Sequence, residues 1–164
     1  MAAEPVEVRE PDLARARPLH KSTGKGHISS GDRFLETAVD MAQRIRVLIA
    51  DDHRLFAQAL EAILATDDRL EVRGHAHDGA EAVQLAGTLD PDVILMDIAM
   101  PVMDGFQATQ QIRKRQPGAC ILMLTGSNSR TDVDRARNAG ASGYVTKDRI
   151  AGELVDAILE VAER

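Results

Sequence analysis

The sequence predicts an α/β fold, a doubly wound five-stranded parallel sheet with helices on both faces. Two observations predict it. Short apolar runs alternate with helix-length stretches five times from Ile45 to the C-terminus, and repeated β-α units imply parallel strands joined by right-handed crossovers. The central run, Asp92-Val93-Ile94-Leu95-Met96-Asp97, follows Pro91 and is unbroken by polar residues in its middle. That is the pattern of a strand covered on both faces.

The first strand is predicted at 45–50 and runs into Asp51-Asp52. The first helix covers about 54–65, with Phe56, Leu60, Ile63 and Leu64 on one face. In the second strand, 70–76, Leu70, Val72 and Gly74 alternate with Glu71 and Arg73, as on a half-wet edge strand. Asp78-Gly79-Ala80-Glu81 resembles a capping box opening the second helix, which carries Val83 and Leu85. The third strand is the central run. Pro101 and Gly105 punctuate the loop after it, and Asp104 caps a third helix over about 105–115 with Phe106, Thr109 and Ile112 inward.

The fourth strand, 120–124, leads into Thr125. The fourth helix, about 129–138, has only Val133 and Ala136 as an apolar face, so it should be the least firmly packed. Asn138-Ala139-Gly140 ends it. The fifth strand, 143–146, delivers Lys147, and the fifth helix starts near Ile150 with Leu154, Val155, Ile158, Leu159, Val161 and Ala162.

Residues 1–43 read as an N-terminal extension. Prolines, glycines and scattered charges without a sustained period predict a largely disordered segment. Phe34, Leu35, Ala38, Val39, Met41 and Ala42 have the spacing of a short helix at 33–42. Met41-Ala42-Gln43-Arg44 also has the form of a natural domain start, which leaves open whether the first 40 residues belong with the domain. Ser22-Thr23-Gly24-Lys25 lacks the spacing of a phosphate-binding loop.

Composition narrows the function classes. The net charge is -6, and residues 1–44 balance seven basic against seven acidic side chains, so the whole deficit lies in the remainder. That argues against a general nucleic-acid binder. One cysteine excludes an internal disulfide and fits a reducing cytoplasm. No apolar stretch approaches a membrane span, so no membrane insertion is expected.

The chemistry gathers at strand ends. Asp51-Asp52, Asp97, Thr125 and Lys147 each follow an apolar run, and open α/β sheets bind ligands at that edge. Three carboxylates brought together repel one another, which either protonation of one or a bound divalent cation relieves. A donor set of oxygens alone favours Mg²⁺, with Mn²⁺ as the alternative, over zinc.

The motifs Asp51-Asp52, Asp97-x-x-Met100-Pro101-x-Met103-Asp104-Gly105, Thr125 and Lys147, in that order, resemble the receiver domain of two-component response regulators over roughly residues 44–163. The domain is therefore placed at 44–164. The resemblance implies a flavodoxin-like sheet with strand order 2-1-3-4-5, to which the polar second strand at an edge adds independent support. It implies that Asp97 is the phosphoacceptor, taking a phosphoryl group from a phosphohistidine on a sensor histidine kinase or a histidine phosphotransfer protein. Asp52, Asp97 and the backbone carbonyl of Ala99 would hold Mg²⁺ directly, with Asp51 acting mainly through water. Lys147 and Thr125 would meet phosphoryl oxygens, and Ala99 and Ser127 would flank the path of the hydrolytic water. Thr125 and Tyr144 would form the switch. Output would pass through the face of the fourth helix, fifth strand and fifth helix, to a downstream protein or to a second copy in a homodimer. On this reading the chain is a phosphoryl acceptor with slow self-dephosphorylation and not an enzyme.

One departure refines the resemblance. Lys147 is followed by Asp148, where many receivers have proline. This, with Ala50-Asp51-Asp52-His53-Arg54 and Ala141-Ser142-Gly143-Tyr144, is similar to the subgroup that carries helix-turn-helix output domains. The chain ends at Arg164 without such a module, so no nucleic-acid contact is expected from this chain alone; a stand-alone receiver and a receiver fragment of a DNA-binding transcription regulator both remain open.

Rival readings are weaker. A receiver-like adaptor working without phosphorylation would not need the full set of Asp51, Asp52, Asp97, Thr125 and Lys147. A magnesium-dependent phosphatase with an aspartyl nucleophile usually shows D-x-D, and Asp97-Ile98-Ala99 lacks the second acid. His75 and His77 could share one side of a strand as metal ligands, but no third ligand is evident and solvated histidines are favoured. His53 adjoins the acid pair and could modulate the site, though exposure at the start of the first helix is favoured, and Cys120 is expected to pack as a small apolar residue.

Overall fold

Each apolar run becomes a strand in the computed structural model, which describes residues 43–164. The strands are β1 (Ile45–Ala50), β2 (Leu70–Ala76), β3 (Val93–Asp97), β4 (Ile121–Thr125) and β5 (Gly143–Thr146). The helices are α1 (Arg54–Leu64), α2 (Gly79–Leu89), α3 (Gly105–Arg115), α4 (Arg130–Ala139) and α5 (Ile150–Ala162), with a 3-10 turn at Lys147–Arg149 between β5 and α5. All strand pairs are parallel and the order is β2-β1-β3-β4-β5. The fold class and strand order are those expected. The extension over 1–43, and the short helix expected at 33–42, lie outside the described residues apart from Gln43.

The sheet divides two cores by side-chain alternation. Leu48, Ala50, Ile94, Met96, Ile121 and Met123 face one side, where α2, α3 and α4 cover them with residues such as Ala82, Phe106, Ile112 and Ala136. Val47, Ile49, Val93, Leu95, Leu122 and Leu124 face the other, under Leu60 and Leu64 of α1 and Leu154 and Ile158 of α5. The central strands carry apolar residues at consecutive positions because both faces are dry. β2 lies at the edge, with a register shift where Val47 pairs Val72 and Leu48 pairs Gly74. Among the described residues, no helix is long and apolar enough to cross a membrane.

Local chemistry moves several boundaries. Asp92 does not join β3. Its carboxylate accepts the backbone N–H of Arg46 at 2.7 Å and two guanidinium bonds at 3.1 and 3.0 Å, tying the entries of β1 and β3 together. β4 extends through Thr125, which pairs with Thr146. α4 starts one residue late because Ser129 caps it, accepting the Asp132 N–H at 3.2 Å. Gly140 closes α4 at φ +97°, a conformation that favours glycine.

The capping box expected at α2 is half formed. Asp78 accepts the Glu81 N–H at 2.7 Å, but the Glu81 carboxylate turns to the His77 N–H. The full box is at α3, where Asp104 and Gln107 exchange both bonds. His75 and His77 do not share a strand face: β2 stops at Ala76, and the two rings pair with different helices, His75 with Glu61 of α1 at 2.9 Å and His77 with Glu81 of α2 at 3.2 Å.

Candidate functional site

β1, β3, β4 and β5 are consecutive neighbours in the sheet, so their carboxyl ends lie side by side. That edge presents Asp51 after β1, Asp97 ending β3, Thr125 ending β4 and Lys147 after β5. The loop after β3 is pulled tightly back beneath Asp97. The Gly105 N–H donates to the Ile98 carbonyl at 2.8 Å, and a Cβ at Gly105 would collide with the Asp97 carbonyl. Glycine therefore lets α3 start directly against the strand that carries the acid. Within the same loop the Met103 N–H bonds the Pro101 carbonyl at 2.7 Å around Val102, whose φ is +67°. A turn of this kind is rare and strained for a β-branched residue.

The carboxylates converge. Asp51, Asp52, His53 and Asp97 each offer one ligand atom, all within 4.8 Å of one another. Asp51 and Asp97 are almost wholly buried, whereas the Asp52 side chain keeps 29% of its exposure. Lys147 Nζ lies 3.0 Å from Asp97 Oδ1 and 3.7 Å from Asp51 Oδ2. One lysine thus faces two buried acids. Burial, reinforced by the charges of Asp51 and Asp52, pushes the Asp97 carboxyl above the ordinary carboxylate range against the pull of Lys147.

The arrangement fits a hard divalent cation. Among the described residues, Asp51 Oδ2 and Asp97 Oδ2 are buried without a hydrogen-bond partner. Buried oxygens of this kind normally have one. Carboxylate oxygens are also the donors that Mg²⁺ takes, and receiver domains as a class bind it in an acidic pocket.

The other expected residues fall as follows. The Thr125 hydroxyl donates to the Ser127 carbonyl at 2.6 Å and accepts the Ser127 N–H at 3.1 Å, so it is engaged by its own loop. Ala99 is exposed in the loop two residues beyond Asp97. Tyr144 is half-buried and packs on the core under α2, α3 and α4. Cys120 is half-buried, and burial raises its thiol pKa, which suits an inert packing role.

Two residues enter the site more closely than their sequence pattern announced. His53 is exposed as expected, yet its Nδ1 lies 3.1 Å from Asp52 Oδ1. Phe56, which periodicity placed simply on the buried face of the first helix, has its ring 4.4 Å from Lys147 Nζ. The only advance signal for Phe56 was its rarity, in a chain with three phenylalanines, one tyrosine and no tryptophan.

Comparison with known proteins agrees with this geometry. The family model described as the response regulator receiver domain matches residues 47–159. The chain is 38% identical over 120 residues to the transcriptional regulatory protein DegU of Brevibacillus brevis, covering 73% of this chain and 51% of that one. It is 40% identical over 114 residues to the response regulator protein VraR of Staphylococcus aureus, covering 70% of this chain and 54% of that one. The chain thus spans about half the length of these curated relatives. Among solved structures it resembles the signal receiver domain of the putative response regulator NarL from Mycobacterium tuberculosis, at 34% identity and a TM-score of 0.71, covering 74% of this chain and 98% of that one.

Proposed function

We propose the following function for a chain that belongs to the response regulator receiver domain family of two-component systems: Asp97 accepts a phosphoryl group from a phosphohistidine, and the resulting charge alters protein contacts. The observation that carries the proposal is the Asp97 carboxylate itself. It is buried at a strand end, with one oxygen paired to Lys147 and the other without a hydrogen-bond partner.

In the reaction an Asp97 carboxylate oxygen attacks phosphorus and forms an acyl phosphate. The bond from phosphorus to the donor imidazole nitrogen breaks, and its electron pair stays on that nitrogen. Asp52, Asp97 and the Ala99 carbonyl would hold Mg²⁺ directly, and Asp51 would act through water. When bound, the ion supplies positive charge against phosphoryl oxygens. Lys147 swings its ammonium from the carboxylate to a phosphoryl oxygen, acting as a point charge. Water then hydrolyses the acyl phosphate slowly past Ala99 and Ser127, so the protein is an acceptor that resets itself and not a turnover enzyme.

The switch is read from Thr125. Its hydroxyl is held by the Ser127 carbonyl in this structure. Contact with a phosphoryl oxygen requires that bond to be given up, which frees the loop leading into α4. Tyr144 follows inward, and the α4-β5-α5 face changes its affinity for a downstream protein or a second copy. The receiver occupies 44–164 and works in the cytoplasm with a sensor histidine kinase or histidine phosphotransfer protein. The relatives are about twice as long, and one is named a transcriptional regulatory protein. This favours, as a second reading, a receiver whose output is DNA binding by a further module.

Reduction of the labelled protein with borohydride tests the acceptor. An acyl phosphate at Asp97 is converted to homoserine at that position, which peptide mass spectrometry reads. Homoserine elsewhere, or none on protein that carries label, refutes the assignment.

A further inference from the structure

We propose that Phe56 is a positioning residue for Lys147, holding its ammonium between the two buried acids through the face of the ring. This inference rests on the reading of Asp97 as a phosphoacceptor. Lys147 Nζ lies 3.0 Å from Asp97 Oδ1, 3.7 Å from Asp51 Oδ2 and 4.4 Å from the Phe56 ring centroid. The first two pull the ammonium toward the floor of the site. The ring, carried on the first turn of α1, lies under the ammonium and attracts it through its face. Lysine has four rotatable methylenes and loses substantial rotamer freedom when fixed. A flat, polarisable surface beneath the ammonium reduces the conformations open to it without competing for its donor hydrogens.

The aromatic has a contact besides packing, with the Lys147 ammonium. Phe56 is half-buried and packs against the core between the sheet, α1 and α5. The buried part of that core is built from Val, Leu, Ile and Ala, with no other aromatic packed against it. What leucine lacks is a π face for a cation. Lys147 needs such support because its carboxylate partner changes during the reaction. As Asp97 becomes an acyl phosphate, its Oδ1 loses charge and the lysine must shift to the phosphoryl oxygens. The ring keeps the ammonium over the site through that exchange.

The test compares phosphorylation by acetyl phosphate, in Mg²⁺, of wild type, Phe56→Leu and Phe56→Tyr, with Lys147→Met as the second axis of a double-mutant cycle. Phe56→Leu should slow labelling about three- to tenfold, the range of one partly exposed cation-π contact. Phe56→Tyr, which retains the ring, should restore the rate, and Phe56→Leu should add nothing once Lys147 is methionine. A separate readout needs no activity: the Lys147 methylene next to the ammonium should show an upfield ring-current shift in the proton NMR spectrum, lost in Phe56→Leu. An unshifted methylene in wild type, equal slowing with and without Lys147, or a Phe56→Leu rate equal to wild type overturns the assignment. If Phe56→Leu does not fold, the Phe56→Tyr rate and the wild-type spectrum decide. A folded wild type that takes up no phosphoryl group refutes the acceptor reading itself, whatever the spectrum shows.

Discussion

Replacing Asp97 by asparagine should stabilise the metal-free protein. At an effective dielectric of about 20, two carboxylates 4.8 Å apart repel by about 3.5 kcal/mol. Asp97 feels about this from each of Asp51 and Asp52, whose nearest ligand atoms lie within 4.8 Å. Lys147 at 3.0 Å returns about 5.5 kcal/mol on the same scale. The repulsions exceed the attraction by about 1.5 kcal/mol, and burial of the charge adds to the deficit. Asparagine keeps the shape and removes the charge, so a gain of about 1–3 kcal/mol is expected, or roughly 3–10 °C in Tm for a domain of this size. The assay is thermal unfolding of both proteins in EDTA.

The gap between them should respond to pH and to Mg²⁺ in stated directions. The folded Asp97 pKa is raised above its ordinary 3.8, so the native state binds the proton more tightly than the unfolded chain. Wild-type stability therefore falls as pH rises from 3.8 through the raised value, and the advantage of asparagine is full above that window and fades below it. Adding Mg²⁺ to about tenfold over its Kd should return about 1.4 kcal/mol to wild type and less to the variant. Asp97→Asn that is equal to or less stable than wild type in EDTA at neutral pH would refute the reasoning, because it would mean that the acids are not in mutual conflict.

Three further outcomes follow from other contacts. Gly105→Ala sets a methyl group against the Asp97 carbonyl, and should cost about 1–3 kcal/mol in denaturant unfolding while slowing phosphoryl uptake in the folded fraction. Asp92→Asn should cost about 1 kcal/mol at neutral pH after allowance for solvent screening of a pair that is 36% and 39% exposed. Burial works to raise the Asp92 pKa, but the Arg46 bonds outweigh it and lower it, so this contribution is full above pH 3.8 and is lost as pH falls through the lowered value. Leu55 and Val102 are the exposed large hydrophobics among the described residues, at 82% and 84%, close in sequence to Asp52 and Asp97. Leu55→Asp and Val102→Asp should slow transfer from a phosphohistidine protein while leaving acetyl phosphate labelling unchanged, since only a protein donor covers that rim.

The fold was legible because both of its periodicities are simple. β3 is apolar at each position from Val93 to Met96 since both sheet faces are covered, and β2 alternates since it lies at an edge. The acids could be placed together from strand ends alone, given the strand order. What escaped sequence reading depends on side-chain direction between elements far apart in the chain. No spacing rule brings the Phe56 ring to Lys147, splits His75 and His77 between α1 and α2, or turns Glu81 from its own helix cap to His77. Asp92 looked like the first residue of a strand but serves as a clasp for Arg46, because a carboxylate at the entry of two adjacent strands finds a free N–H there. Thr146 Oγ1, which no motif singled out, is buried without a hydrogen-bond partner among the described residues.

The central claim is that Asp97 accepts a phosphoryl group with the help of a divalent cation. Intact-mass spectrometry after incubation with acetyl phosphate tests it most directly, run in Mg²⁺, in EDTA and on Asp97→Ala. One added phosphoryl group should appear, and only with both Mg²⁺ and Asp97 present. Addition that persists on Asp97→Ala, or that ignores EDTA, would contradict it.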